Sequence, residues 1–311
     1  METVERCNLC GAREAEEFMR GFDRFGLGTG EFQLVRCTSC GLIYLDPRPD
    51  LQDLPAYYAE DLPSFAGARP VRSHSLRALD RDHGIRNLCR AVPAPAQPPG
   101  QILDIGCGTG LFLASMRERG WHVAGIEPSP AMATFARQTL GLDIRQGRIE
   151  EVELPAAAYD VITLWHVLEH VQDPALTLRK VYRALRPSGW LLLTVPNLES
   201  PEARVFGRYW VGLDIPRHLF LFSAPVLRRY LQEAGLEVVD RHAITARHIG
   251  LSTSLQFWVA GWSQSPSVRR SAARLFHSLP FRLITWPYTR IMAGLNLTSF
   301  LTVYARSADG S

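Results

Sequence analysis

Ile102-Leu-Asp-Ile-Gly-Cys-Gly-Thr-Gly110, then a helical run, then Trp121-His-Val-Ala-Gly-Ile-Glu127, is the stretch that decides the fold. It reads as an apolar strand ending at Asp104, a turn carrying Gly106, Gly108 and Gly110, a helix, and a second strand ending in an acid. A chain built in this order can hold a nucleoside. The strand aims the loop outward, glycine lets the backbone approach the ligand, and Glu127 reaches ribose hydroxyls. The glycine spacing says which nucleoside. A dinucleotide fingerprint is G-x-G-x-x-G, with its helix N-terminus aimed at a pyrophosphate. Here the spacing is G-x-G-x-G, and Asp104 at the loop mouth would repel a phosphate. An aminoacyl group with a cationic amine suits the site better. The competing reading is a tight turn without a ligand; strand, acid, glycines, helix and second acid in that order favour the ligand.

Outward from this stretch, strands and helices alternate. A helix over Leu111–Arg119 stops at Gly120, His122–Glu127 is the second strand, and Ser129 or Pro130 starts a helix ending near Gly141. Strands follow at Asp143–Gln146 and Tyr159–Leu164, a helix runs from Asp173-Pro174 to Leu185, and Arg186–Gly189 forms its stop. Trp190–Val195 is a fifth strand, Ser223 caps a helix through Ala234, and Leu236–Ala243 and Ser299–Ala305 are the last strands. The expectation is an α/β fold, a doubly wound and mainly parallel sheet with ligand at the strand carboxyl ends.

Four of the six cysteines fall in two C-x-x-C pairs, Cys7/Cys10 and Cys37/Cys40, each running on into a glycine. Two such knuckles supply four thiolates for a tetrahedral structural zinc, with no position left for water. Two disulfides or redox motifs are the competing readings, disfavoured in a cytosolic chain. Cys89 reads as a small buried residue and Cys107 as a loop residue whose side chain need do no chemistry. The segmentation expected is a zinc ribbon over 1–48, a helical connector and linker over 49–100, the ligand-binding domain over 101–245, a helical insertion over 246–296 and the last strand in 297–311.

The chain has 311 residues, room for one large domain and a small one, and a net charge of +3, too small to argue for nucleic acid. The first 50 residues carry more acids than arginines, which also argues against RNA. No basic-then-apolar leader opens the chain, so the reading is cytoplasmic. The insertion is unusual: from Thr245 to Arg306 there is no acid, but there are seven arginines after Thr245 (Arg247, Arg269, Arg270, Arg274, Arg282, Arg290 and Arg306) interleaved with Trp258, Trp262, Phe276, Phe281, Trp286 and Tyr288. It reads as a peripheral surface for anionic lipid or a lid over a large substrate. Alternatively, lid helices pack their aromatics on the sheet and turn their arginines to water.

The segment after the fourth strand, Trp165-His166-Val-Leu-Glu169-His170-Val-Gln-Asp173-Pro174, contains H-x-x-E-H, an inverted zinc-protease signature. That signature needs a long helix, and here it follows a strand and meets Pro174. The residues sit at the carboxyl end of the strand, where an acceptor would bind. His170 could remove the acceptor's proton, with Glu169 orienting the imidazole or binding a hydroxyl; support of the loop is the competing role. His166 reads as lining the cofactor. A second cluster, Trp210 to Phe220, offers His218 as a rival base and Arg217 as a clamp for an acidic group, or else an Arg217–Asp214 structural pair.

Taken together, the cysteine pairs, Tyr57-Tyr58, the glycine loop, L-E-H-V-x-D-P and P-R-H resemble class I S-adenosylmethionine (SAM) methyltransferases with an N-terminal zinc ribbon, including deoxysugar C-methyltransferases, over about residues 7–245. The resemblance implies a seven-stranded Rossmann-like sheet and SAM held by Asp104, Gly106, Cys107, Gly108, Gly110, Glu127, Pro128, Arg148, Ile149 and Trp165. Family members often carry Asp where this chain has Arg148, so adenine recognition falls to the backbone of Arg148 and Ile149. It also implies a small-molecule acceptor, first a sugar, glycan precursor or natural-product intermediate, methylated by in-line displacement with a histidine base. A lipid or quinone acceptor at a membrane surface and ribosomal RNA are the alternatives. The further C-terminal domain of the sugar C-methyltransferases is missing from the pattern, which leaves O- or N-transfer equally open.

Overall fold

A computed structural model describes residues 1–24, 30–58, 76–244, 248–263 and 265–307. In chain order these form β1 (Ala15–Phe22), β2 (Glu31–Cys37), β3 (Ile43–Leu45), α1 (Leu76–Ala91), β4 (Gln101–Ile105), α2 (Leu111–Arg117), β5 (His122–Glu127), α3 (Pro130–Leu140), β6 (Ile144–Gln146) and β7 (Tyr159–Trp165). There follow α4 (Pro174–Ala184), β8 (Leu185–Pro196), α5 (Pro201–Phe206), β9 (Phe220–Leu221), α6 (Ala224–Glu233), β10 (Leu236–His242), α7 (Ile249–Trp262), α8 (Pro266–Phe276), α9 (Leu279–Gly294) and β11 (Phe300–Ser307). Contacts divide the chain into two compact units: Met1–Tyr58 with Val195–Leu227 and Arg241–Thr302, and Ala59–Thr194 with Arg228–Asp240 and Val303–Ser311.

The second unit carries the seven-stranded sheet, ordered β10-β11-β8-β7-β4-β5-β6. The pairs β4·β5, β4·β7, β5·β6 and β7·β8 are parallel. β7 is buried through its middle, Asp160 to Leu164, as expected of a central parallel strand covered on both faces. Chain order reverses at β4, whose neighbours are β5 on one side and β7 on the other, and this switch point places a ligand crevice at the carboxyl end of β4. Local signals set the helix starts. Ser129 Oγ accepts from the Met132 amide ahead of α3, and Asp173 Oδ1 accepts from the Leu176 amide at 2.9 Å ahead of α4. The stop expected at Arg186–Gly189 instead lies inside β8. Tyr159 pairs with Leu185 and Val161 with Trp190, so the intervening residues bulge from the ladder, with Ser188 at φ 62°.

In the first unit β1, β2, β3 and β9 make a second, antiparallel sheet. β1, β3 and β9 were not anticipated from the sequence. Phe32, Leu34, Ile43, Leu45 and Phe220 fill its core. The insertion is helical, as α7, α8 and α9. Residues 59–75 of the connector, Thr245, Ala246 and Arg247 at the start of the insertion, and residues 308–311 lie outside the described residues. Among those described, no helix is long and apolar enough to cross a membrane.

Candidate functional site

The loop between β4 and α2 is shaped by backbone that side chains resist. Gly106, Gly108 and Gly110 have φ of 70°, 55° and 76°. A Cβ on Gly106 would stand 2.5 Å from Val167 Cγ2, so the turn after β7 rests directly on the glycine loop. The Gly106 and Cys107 amides both donate to the Ile126 carbonyl, which ties the loop to the end of β5. Cys107 itself points inward. A Cβ on Gly125 would meet its Sγ at 2.8 Å, and burial raises its thiol pKa. It contributes backbone to the loop and its side chain to the core.

Two buried acids lie beneath this loop. Asp104 Oδ1 accepts from Thr163 Oγ1 at 2.6 Å. Glu127 accepts from the Gly108 amide through Oε2 and from the Ser129 amide through Oε1, both at 2.8 Å, so the carboxylate is braced between loop and helix. Each oxygen keeps a lone pair for a hydroxyl donor. Burial pushes the Asp104 carboxyl up to about 7, opposed by Thr163 and reinforced by the Glu127 charge. Burial raises Glu127 too, against the pull of its two amides. Among the described residues, neither acid has a basic partner. A cationic ligand with a vicinal diol fits these acceptors and this charge.

At the carboxyl end of β7, Trp165 packs edge-on against Phe112, and its buried indole N–H has no acceptor among the described residues. His166 has φ 59°, a strained conformation for a side-chain-bearing residue, and its amide donates to the Thr194 carbonyl. Its Nδ1 is 3.3 Å from Oε1 of Glu169, which is fully buried. His170 lies half-buried with a nitrogen within 4.8 Å of a Glu169 oxygen. Glu169 therefore stands beside both imidazoles, and His166, read from the sequence as lining the cofactor, has the direct contact to it. The segment is a turn rather than a helix, so the zinc-protease geometry is not formed.

Pro128 follows the braced acid. Beyond β6 come Arg148, whose carbonyl accepts from the Glu151 and Val152 amides, and buried Ile149. What holds this loop was not anticipated. Lys180, the chain's one lysine, reaches from α4 and donates from Nζ to the carbonyls of Ile149 (3.1 Å), Glu150 (2.6 Å) and Val152 (3.1 Å). Glu150 in turn accepts from the Gln172 amide at 2.9 Å, joining this loop to the turn after β7. A lysine six residues into a helix beginning Asp-Pro is the only sequence trace of that clamp.

In the first unit, Arg217 is no clamp for a substrate. Its guanidinium is buried and pairs with Asp214 at 2.7 Å and Asp23 at 2.8 Å, and Nη1 donates to the Tyr57 carbonyl. Neighbouring His218 is buried, with Nδ1 2.8 Å from the Gly212 carbonyl oxygen. In the neutral ring that bond places the proton on Nδ1 and the basic lone pair on Nε2. The sulfurs of Cys7, Cys10, Cys37 and Cys40 lie within 4.8 Å of one another, and all four are free thiols, so the disulfide reading fails. The knuckles are superimposable in bonding: Gly11 donates to Cys7 and Gly41 to Cys37, while Cys7 donates to Ala12 and Cys37 to Leu42. Burial opposes ionisation of Cys37, yet the Cys40 and Ser39 amides outweigh it and bring the thiol down to about 7.

Residues 77–241 match the family described as "Methyltransferase domain". A ubiquinone biosynthesis O-methyltransferase of Pseudomonas aeruginosa (strain UCBPP-PA14) is 34% identical over 159 residues, covering 47% of this chain and 68% of the relative. A malonyl-acyl-carrier-protein O-methyltransferase of Serratia marcescens is 36% identical over 146 residues, 47% of this chain and 55% of the relative. Among solved structures, the (4+2)-cyclase SpnF is 18% identical with a TM-score of 0.53, covering 84% of this chain and 98% of that one, which is a likeness of fold alone.

Proposed function

We propose an acceptor and a division of roles on one premise: the chain belongs to the methyltransferase-domain family and is a SAM-dependent methyltransferase. The acceptor is a small molecule of the quinone or lipid type, methylated on oxygen. Its support is the relatives' names, which carry ubiquinone and an acyl carrier, and they displace the sugar expected from the sequence. The likeness to sugar C-methyltransferases reaches the superfamily and no further.

The observation that carries the donor site is the buried acid pair without an internal cation. Asp104 would face the donor's cationic end, Glu127 would accept from the ribose hydroxyls, and the backbone of Gly106, Gly108 and Gly110 would admit the ligand closely. Pro128, the Arg148–Ile149 backbone and the orphaned Trp165 indole N–H complete the lining. The bound donor supplies an electrophilic methyl on a sulfonium, transferred by in-line displacement. Holding the acceptor oxygen in line contributes about 7–11 kcal/mol to lowering the barrier. His170 or His218 removes the hydroxyl proton, an effect of about 10²–10⁴-fold. Glu169, which contacts His166 Nδ1 and lies within 4.8 Å of a His170 nitrogen, would orient the imidazole beside it. The Cys7, Cys10, Cys37 and Cys40 cluster holds a structural zinc, supported by its four converging thiols.

Methyl-labelled SAM offered with quinol-type phenols, acyl-carrier substrates, sugar nucleotides and RNA tests the acceptor; label in the phenol or acyl pool is expected, and label in sugar nucleotides would restore the first expectation. His170→Ala should lose turnover while donor affinity stays within about threefold, and equal turnover would pass the role to His218. Elemental analysis should find about one zinc per chain, lost in Cys37→Ser.

A further inference from the structure

α9 is built inside out. Its exposed face carries the large apolar residues Leu279, Leu283, Ile284, Trp286, Ile291 and the adjoining Leu295, with Pro280, Pro287 and Gly294 between them and Arg290 as its charged position. Ile284 is 77% exposed. The opposite side, which faces the first unit, is the more polar one: Thr289 is buried, Thr285 is half-buried, and Tyr288 Oη donates to the buried Glu202 of α5 at 3.0 Å. An ordinary surface helix has the reverse arrangement. α7 repeats it, burying Ser252 and Ser254 while exposing Trp258 and leaving Trp262 76% exposed. The same faces are basic. Arg270 and Arg274 are exposed on α8, Arg290 lies over the Trp286 ring at 5.8 Å, and no acid occurs between Thr245 and Arg306.

We propose that α7, α8 and α9 form a docking surface for an anionic lipid bilayer, on which α9 lies flat with its apolar stripe among the acyl chains. The helix is too short to span, at about 24 Å against a hydrocarbon core of about 30 Å. An interfacial helix needs what is seen here: a strong apolar stripe, tryptophans at its border, and arginines that reach the headgroups. Charge selects the occupant. A second copy of the chain would set this patch against itself in a two-fold interface, arginine facing arginine with no acid from the insertion to pair them. Anionic headgroups satisfy both the charge and the apolar stripe. The surface stands on its own exposures and does not depend on the acceptor.

The test is flotation of the full-length protein with vesicles of phosphatidylcholine alone and with about 30% phosphatidylglycerol, the anionic fraction being of the order found in charged membrane leaflets. Binding is expected to the anionic vesicles and to weaken with salt. R270E/R274E should lower partitioning at least 25-fold, from about fivefold per arginine lost. L283S/I284S/I291S should lower it at least tenfold with donor binding by calorimetry unchanged. Brominated lipids should quench the wild-type tryptophans, a readout that needs no variant. Equal binding to both vesicle types, undiminished binding by a folded variant, or absence of quenching would overturn the proposal. So would a dimer in sedimentation that the serine variant abolishes. Vesicle binding without transfer to any phenolic acceptor would keep this surface and remove the acceptor reading.

Discussion

Each unit holds a pair of neighbouring carboxylates, Asp23 with the partly exposed Asp214 in one and the buried Asp104 and Glu127 in the other, and the two pairs are finished differently. In the first unit Asp23 and Asp214 share one guanidinium, with Arg217 paired to both. Burial works against that charge, but the two acids outweigh it and raise the Arg217 pKa. In the second unit burial raises both Asp104 and Glu127, the Glu127 charge adds to the cost at Asp104, and among the described residues the pair meets a hydroxyl and backbone amides. A closed network needs nothing from outside and is structural. An open pair of acids beneath a glycine loop is stable with a proton, or with a cation that a ligand brings.

Removing the cation from the closed pair should have the largest effect. Arg217→Met removes the guanidinium paired to both acids, leaving only the charge of the buried Arg24 near them, and should lower unfolding stability by about 3–5 kcal/mol in urea titration. A loss below about 1 kcal/mol, the range of an exposed pair, would mean the network is not closed. The open pair should respond in the opposite manner. Asp104→Asn should weaken SAM binding by roughly 10–100-fold in calorimetry, as expected for one charge-assisted contact, with no loss of donor-free stability. Lower stability with unchanged affinity would exchange the roles of the two pairs.

The open pair also predicts a pH dependence. Asp104 titrates near 7 in the folded protein against 3.8 ordinarily, so between these values the folded state holds a proton that the unfolded state releases. Its contribution to donor-free stability is therefore full below about pH 4, falls as pH rises toward about 7, and is flat above. Donor affinity should run the other way, dropping about tenfold per unit below pH ~7 as the acid is neutralised. Both slopes should vanish in Asp104→Asn, and a slope that survives belongs to another group. The smallest effect is expected at Lys180, which positions the loop without touching ligand. Lys180→Met should raise KM for SAM about 3- to 10-fold, with kcat within about twofold. An equal fall in kcat with KM unchanged would place the residue outside donor binding.

What could be read from the sequence was local. β5 matches its expected bounds, His122–Glu127, and the starts of α3 and α4 follow Ser129 and Asp173, because caps, prolines and glycines act within one turn of the chain. The donor loop was legible for the same reason: its glycines and Glu127 are ordered along one strand–turn–helix–strand unit. β3 and β9 were missed because each is only a few residues long, and β9 pairs with the distant β3, Ile43 opposite Leu221. The bulge at Arg186–Gly189 carries ordinary turn residues, and only the β7·β8 ladder makes it part of a strand. Glu169 was read as an orienter of His170, and it is the left-handed backbone at His166 that brings a second imidazole to it.

The sequence by itself determined the glycine loop, the alternation that builds the sheet, and the cysteine knuckles, since each is encoded by spacing within a few residues. Tertiary structure alone decided that Arg217 serves Asp23 rather than a ligand, that Lys180 holds the Ile149–Val152 loop, and that α9 turns its leucines outward. Periodicity tells that a helix has two faces. Which face meets protein depends on neighbours distant along the chain, and a charge is structural or functional according to whether such a neighbour already neutralises it.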